Sequence, residues 1–195
     1  MNHQKTALIG LLSGVILLAG CASPKPPAVN KLHNEIGKLN QQMRQLTDEA
    51  TAVEQQNQLN SSGAQGAWLL PAAHTVVLLH SNAGDLRLSL SHVEAEANGS
   101  RALLHIRAAG EQALTPFSAQ IEWGTLDPVT GKPLASEKQS QAIELPASLL
   151  PKAEATVPLR LSGIQPEQLG YVRVHEIVPQ TATPSIPEMT DTPPR

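Results

Sequence analysis

The apolar residues of this chain change their spacing near Trp68, and this change constrains the fold more than any other feature. Upstream, from Val29 to Asn60, they recur at alternating intervals of three and four residues, the heptad pattern of a helix with one apolar seam. Downstream, apolar and polar residues alternate one by one, as in strands with one buried face. The sequence therefore predicts a mainly β protein, with an Ig-like antiparallel β-sandwich over residues 67–178 preceded by an α-helical coiled-coil stalk over residues 29–60.

The heptad segment is expected to self-associate through its a and d positions. A narrow seam of this kind is typical of a coiled coil, whereas a helix on a globular core shows a wider apolar stripe. The candidate seam residues are Leu32, Ile36, Leu39, Met43, Leu46 and Val53. The seam weakens downstream, where Ala50 is small and Asn57 and Asn60 are polar. Three interpretations stay open: a parallel homo-oligomer, a helix packed on its own domain or on another envelope protein, and a partly frayed tether.

The first twenty residues read as a secretion signal. Residues 7–20 are apolar apart from Ser13, and this run is shorter than the roughly 20 residues that a membrane-spanning helix needs. It ends in Leu18-Ala19-Gly20-Cys21, which resembles the lipobox of bacterial lipoproteins. The resemblance implies that residues 1–20 are removed and that acyl chains, including palmitate, are attached to Cys21, the only cysteine.

The residues after the lipobox bear on localisation and on the spacer. Ala22 and Ser23 stand where an Asp would imply retention at the inner membrane, so the lipobox resemblance implies an outer-membrane anchor with the chain facing the periplasm. Prolines at 24, 26 and 27 predict a stiff, non-helical spacer over residues 21–28.

Turn signals divide the second half of the chain into seven or eight short strands without crossover helices. Asn82-Ala83-Gly84 and Asn98-Gly99 mark tight turns, and Pro158 places its strand at a sheet edge. A linker precedes the domain at residues 61–66, and residues 179–195, with five prolines, are expected to be disordered. The outward phase of the last strand carries Tyr171, Arg173 and His175, which are the candidate partner contacts.

Composition and motifs exclude several function classes. The chain has 14 basic and 17 acidic residues and a net charge of −3, so no basic field is available for nucleic acid. A single cysteine rules out cysteine clusters for zinc or iron–sulfur groups, and no familiar hydrolase or nucleotide-binding motif is present. The histidines of the mature chain are not spaced as metal ligands. We therefore expect no enzyme, no cofactor and no metal site.

Several motifs together resemble the YajI-type lipoproteins of enteric bacteria. They are the lipobox, the Leu-Asn-Gln-Gln-Met run at 39–43, Trp68-Leu69-Leu70-Pro71, the run 84–90 and the run 169–177. The resemblance implies a periplasm-facing lipoprotein and supplies no activity, substrate or catalytic residue. The predicted function is that of an outer-membrane-anchored lipoprotein whose β-sandwich is a non-catalytic binding or structural module. The alternative is a periplasmic small-ligand-binding or hydrolytic domain.

Overall fold

The structure, a computed structural model, describes residues 27–61 and 66–180. Its elements in chain order are α1 (Pro27–Ser61), β1 (Ala67–Leu69), β2 (Val77–Ser81), β3 (Gly84–Glu96), β4 (Gly99–Ala108), β5 (Phe117–Gly124), β6 (Gln139–Leu145), β7 (Glu154–Ser162) and β8 (Tyr171–Pro179). Short 3₁₀ turns occupy Pro71–Ala73 and Ala135–Glu137. The signal, Cys21, most of the linker and residues 181–195 of the proline-rich tail lie outside the described residues. Pro179, the first residue of the tail that was expected to be disordered, instead ends β8, so that prediction is wrong at this position.

The helix α1 begins two residues earlier than the heptad pattern predicts and ends one residue later. Pro27 is its first residue, so the prediction of a non-helical spacer through residue 28 is wrong at this end. Proline is tolerated in the first turn of a helix, because its missing N–H would have no intrahelical partner there. The chain divides into two units within this helix, residues 1–44 and 45–195.

The β strands form two four-stranded antiparallel sheets. The first sheet has the order β1-β8-β5-β6 and the second has the order β2-β3-β4-β7. The predicted turns at 82–84 and 98–99 join β2 to β3 and β3 to β4. Pro158 lies in β7, at an edge of the second sheet, as its missing N–H requires. The predicted mainly β architecture with an N-terminal helix is confirmed.

One apolar core joins the inner faces of the two sheets. Phe117, Ala119, Ile121 and Trp123 supply the inner side of β5, in the alternation that the sequence predicts. From the second sheet, Leu86, Leu88, Leu104, Ile106, Leu159 and Leu161 are at most 1% exposed. Each such side chain stabilises the fold by about 1.5–3 kcal/mol relative to an exposed one. The sandwich is therefore held by aliphatic burial, which suits a chain with 2% aromatic residues.

Candidate functional site

The predicted seam of α1 is open to solvent over most of its length. Five of its six candidate residues are between 48% and 65% exposed: Leu32, Ile36, Leu39, Met43 and Leu46. Monomeric proteins rarely expose a continuous apolar row of this kind, and such rows mark interaction surfaces. We call these five residues the exposed seam.

The last turns of α1 instead pack on the outer face of the first sheet, within the second unit. Val53, the sixth seam residue, is half-buried there beside Ala52 and Leu59. These three residues contact a second apolar cluster that contains Trp68, Leu70, Ala73 and Tyr171. The heptad positions Ala50 and Asn57 remain exposed in this part of the helix. The side of the helix that meets the sheet is therefore rotated away from the predicted a positions.

Two side-chain amides of α1 hydrogen-bond the free edge of β1 and the residues that follow it. Gln56 is 2% exposed; its Oε1 accepts from the backbone N–H of Leu70 at 2.8 Å, and its Nε2 donates to Thr75 Oγ1 at 2.7 Å. Asn60 accepts from the N–H of Trp68 and donates to the C=O of the same residue, both at 2.9 Å. We call Gln56 and Asn60 the edge amides. They supply hydrogen bonds that a neighbouring strand would otherwise provide.

Tyr171 does not lie on an exposed face, so the prediction that it is a partner contact is wrong. It is 0% exposed because α1 and Trp68 cover the outward side of β8. Its ring centroid lies 4.9 Å from that of Trp68, and its hydroxyl donates to Glu122 Oε1 at 3.2 Å. Burial raises the pKa of Tyr171 well above its usual range, and the negative charge of Glu122 raises it further.

The other two predicted contacts on β8 are also partly covered. The guanidinium carbon of Arg173 lies 4.8 Å from the ring centroid of Trp68, a cation–π contact. The side chain of His175 is 14% exposed and its Nδ1 lies 3.5 Å from Glu176 Oε1. Tyr171 thus packs in the cluster that the helix end contacts, a role that strand alternation alone does not reveal.

A network of side-chain hydrogen bonds crosses three strands on the outer face of the second sheet. Ser91 Oγ on β3 lies 2.7 Å from His105 Nε2 on β4, and His105 Nδ1 lies 2.8 Å from Glu154 Oε1 on β7. The other carboxylate oxygen of Glu154 is 3.8 Å from Arg107 Nε. Sequence analysis missed this hydrogen-bond network, because its members are 14 and 49 residues apart and follow no local motif.

A β-bulge lies beside this hydrogen-bond network. The register between β3 and β4 shifts between Ser91 and Glu94, and His92 within that bulge has φ 51°, in the left-handed region. A non-glycine residue in that region costs of order 1–3 kcal/mol, and bulges often re-aim a neighbouring side chain. Here His92 Nδ1 lies 2.9 Å from Ser91 Oγ. The bulge thus directly follows the serine.

Metal and membrane chemistry can be assessed for the described part of the chain. Over residues 27–61 and 66–180, no group of three or more His, Cys, Asp or Glu side chains is placed to hold a metal ion. Within the same ranges, no helix is long and apolar enough to cross a membrane.

Comparison with known proteins places the whole chain in context. A family model described as "Protein of unknown function (DUF3251)" matches residues 21–183. The "Uncharacterized lipoprotein YajI" of Escherichia coli (strain K12) is 35% identical over 179 residues, which cover 92% of this chain and 98% of that protein. The resemblance to YajI-type lipoproteins is confirmed.

Two solved structures share the fold. The solution NMR structure of the uncharacterized lipoprotein YajI from Escherichia coli aligns with a TM-score of 0.63 and 34% identity, over 71% of this chain and 84% of that one. The Salmonella enterica trimeric lipoprotein SadB aligns with a TM-score of 0.50 and 20% identity, over 78% and 77% of the two chains. The second likeness shows a common fold alone.

Proposed function

Because this chain belongs to the family described as "Protein of unknown function (DUF3251)" and has a relative named a lipoprotein, we propose that it is a lipid-anchored oligomer of the bacterial envelope. Acyl chains on Cys21 hold it at the outer membrane, and its Ig-like sandwich is a binding or structural module that faces the periplasm. This role requires no chemical step.

The anchor is supported by the sequence around the cleavage point. Leu18-Ala19-Gly20 precede the only cysteine of the chain, and Ala22 follows it. Each buried CH₂ of an acyl chain contributes about 0.8 kcal/mol, so two or more chains give stable attachment where one gives only marginal binding. The absence of Asp at position 22 favours the outer membrane.

The main observation in favour of an oligomer is the exposed seam. Apolar side chains at 48–65% exposure would leave water on association, with a gain of about 25 cal/mol for each Å² buried. The occupant is a second and a third copy of this chain, because identical helices in parallel place the same apolar a and d residues against one another. Anchors at the N-terminus of every copy favour a parallel arrangement. The trimeric state named for SadB agrees with three copies.

Docking of the helix end on the sandwich does not conflict with this arrangement. Leu46, Ala50 and Asn57 stay exposed on the side away from the stripe that meets the sheet. Val53 and Asn60 are d positions of the heptad but also contact the sandwich, so fewer side chains are available to the oligomer seam at this end of the helix. In each protomer the last turns of α1 then stay packed on the sandwich of the same chain.

The test is the mass of the full lipidated chain in a density-matched detergent, measured by sedimentation. We expect the wild type to sediment as three copies and Ile36→Asp with Leu39→Asp to sediment as one, because carboxylates at a and d cannot be buried unpaired. Asn34→Asp with Gln41→Asp is the matched control, since it adds the same charge to the same helix outside the seam. A monomeric wild type, or a seam variant of unchanged mass, would refute the oligomer.

A small-ligand-binding or hydrolytic domain remains the second candidate. The observation that favours it is the hydrogen-bond network from Ser91 through His105 to Glu154.

A further inference from the structure

We propose that Ser91, His105 and Glu154 form a hydrolytic site for short-chain carboxylic esters on the outer face of the second sheet. The hydrogen bonds run in the order nucleophile, base and carboxylate that defines a serine hydrolase triad, which is recognised by geometry rather than by chain order. Both links are short, at 2.7 Å and 2.8 Å. No residue of the exposed seam takes part in these hydrogen bonds, and the proposed reaction does not depend on oligomerisation.

Ser91 is not the residue directly opposite His105 in the β3–β4 ladder. In the β3–β4 ladder Ser89 stands opposite His105, whereas Ser91 stands opposite Leu103. The His105 ring nevertheless meets Ser91, diagonally across the ladder, at the point where the bulge begins. Hydrolases of other folds also place their serine beside strained backbone, and they take an oxyanion contact from the N–H of the next residue. We assign that contact here to the N–H of His92.

The surroundings of Ser91 suit a small acyl group. The side chains of His105 and Glu154 are 24% and 40% exposed, so substrate and water reach them. Leu103 stands opposite Ser91 and pairs with Pro158 on β7, and these two residues line a shallow groove of about 340 Å³ together with His92. The groove borders the triad, and Ser91, His105 and Glu154 are not among the residues that line it. Arg101 and Glu94 border the same groove. The acyl group of the ester would lie over Leu103 and Pro158, and the charged border favours a short acyl chain.

The reaction balances without any further reagent than water. The Ser91 oxygen attacks the ester carbonyl carbon and its proton passes to His105 Nε2. The ester C–O bond breaks, and the alcohol leaves with the proton from His105, so that an acyl-serine remains. Water then attacks the acyl carbon and gives a proton to His105. The bond between the acyl carbon and the Ser91 oxygen breaks, the carboxylic acid leaves, and His105 returns its proton to the Ser91 oxygen. Glu154 holds the Nδ1–H of His105 throughout and acts as a positioning residue.

The test is hydrolysis of p-nitrophenyl acetate by the full chain in detergent, against a detergent blank. We expect a rate above the blank that Ser91→Ala and His105→Gln each lower about tenfold or more, because the triad acts as a unit. Ser89→Ala is the matched control, a half-buried serine on the same strand and face, and it should retain the wild-type rate. Glu154→Gln should lower the rate less than Ser91→Ala does.

Covalent labelling gives an independent readout. A fluorophosphonate probe should add its mass to the peptide that contains Ser91, and the adduct should vanish in Ser91→Ala but persist in Ser89→Ala. A surface imidazole alone also cleaves activated esters, and in that case Ser91→Ala would keep the full rate. That result, or a wild type with neither rate nor adduct, would overturn the proposal.

Discussion

The side-chain amide of Asn60 hydrogen-bonds both the backbone N–H and the backbone C=O of Trp68, at 2.9 Å each. A neighbouring strand would make the same pair of bonds, so one helical residue stands in for a strand at the free edge of β1. Gln56, one turn earlier, does the same for the N–H of Leu70. Covering an edge in this way removes a template for unwanted strand pairing.

Loss of the Asn60 amide should destabilise the second unit. Asn60→Ala leaves two partly buried backbone groups without partners, at about 1–3 kcal/mol for each such group. We expect the free energy of unfolding, from urea denaturation, to fall by about 2 kcal/mol. Asn57→Ala makes the same substitution at an exposed position of the same helix and should change it by less than about 0.5 kcal/mol. Equal effects of the two substitutions would show that the edge bonds contribute nothing.

Replacement of Cys21 should abolish acylation of the protein. Cys21→Ala removes the only thiol that can carry diacylglyceryl, so metabolic labelling with palmitate is expected to disappear and the signal to remain uncleaved. Ser23→Ala should label normally, because position 23 lies outside the lipobox. Labelling that persists in Cys21→Ala would contradict the anchor.

Stability should fall in alkali because of Tyr171. Its pKa is raised in the folded state by burial and by Glu122, so the unfolded chain loses this proton first as the pH rises. The stabilising contribution is therefore complete below the ordinary tyrosine pKa of about 10 and declines above it. The free energy of unfolding, measured from pH 8 to 11, should drop less steeply in Tyr171→Phe. Identical slopes in the two proteins would argue against this account.

A side chain at Gly99 should disrupt the β3–β4 hairpin. Gly99 has φ +151°, and a Cβ atom there would lie 2.3 Å from the carbonyl oxygen of Leu161 on β7. That oxygen belongs to backbone and cannot move aside cheaply, so Gly99→Ala should lower the thermal midpoint by several degrees, equivalent to about 2 kcal/mol. At Gly110 the nearest atom to a new Cβ is 3.9 Å away. Gly110→Ala is the control, and a midpoint as low as that of Gly99→Ala would refute the steric explanation.

Strand alternation and turn residues predicted the sandwich because both signals are local. Phe117, Ile121 and Trp123 point inward as their spacing requires, and Pro158 lies at an edge because it lacks a donor. The heptad pattern likewise predicted the helix, whereas the pairing of its seam in a coiled coil stays a prediction. The resemblance to known lipoproteins was recognised from short, continuous sequence motifs, which need no tertiary structure to be identified.

Tertiary structure alone decided what happens where distant segments meet. Tyr171 follows the outward phase of its strand, yet it is buried, because α1 adds a third layer that strand alternation does not encode. In the sequence, Gln56 and Asn60 are polar residues that weaken the apolar pattern of the helix. Their role as hydrogen-bond partners of Leu70 and Trp68 is visible only in the folded structure. Ser91, His105 and Glu154 come together only through the pairing of β3, β4 and β7, and pairing between strands is set by long-range packing rather than by the residues next in the chain.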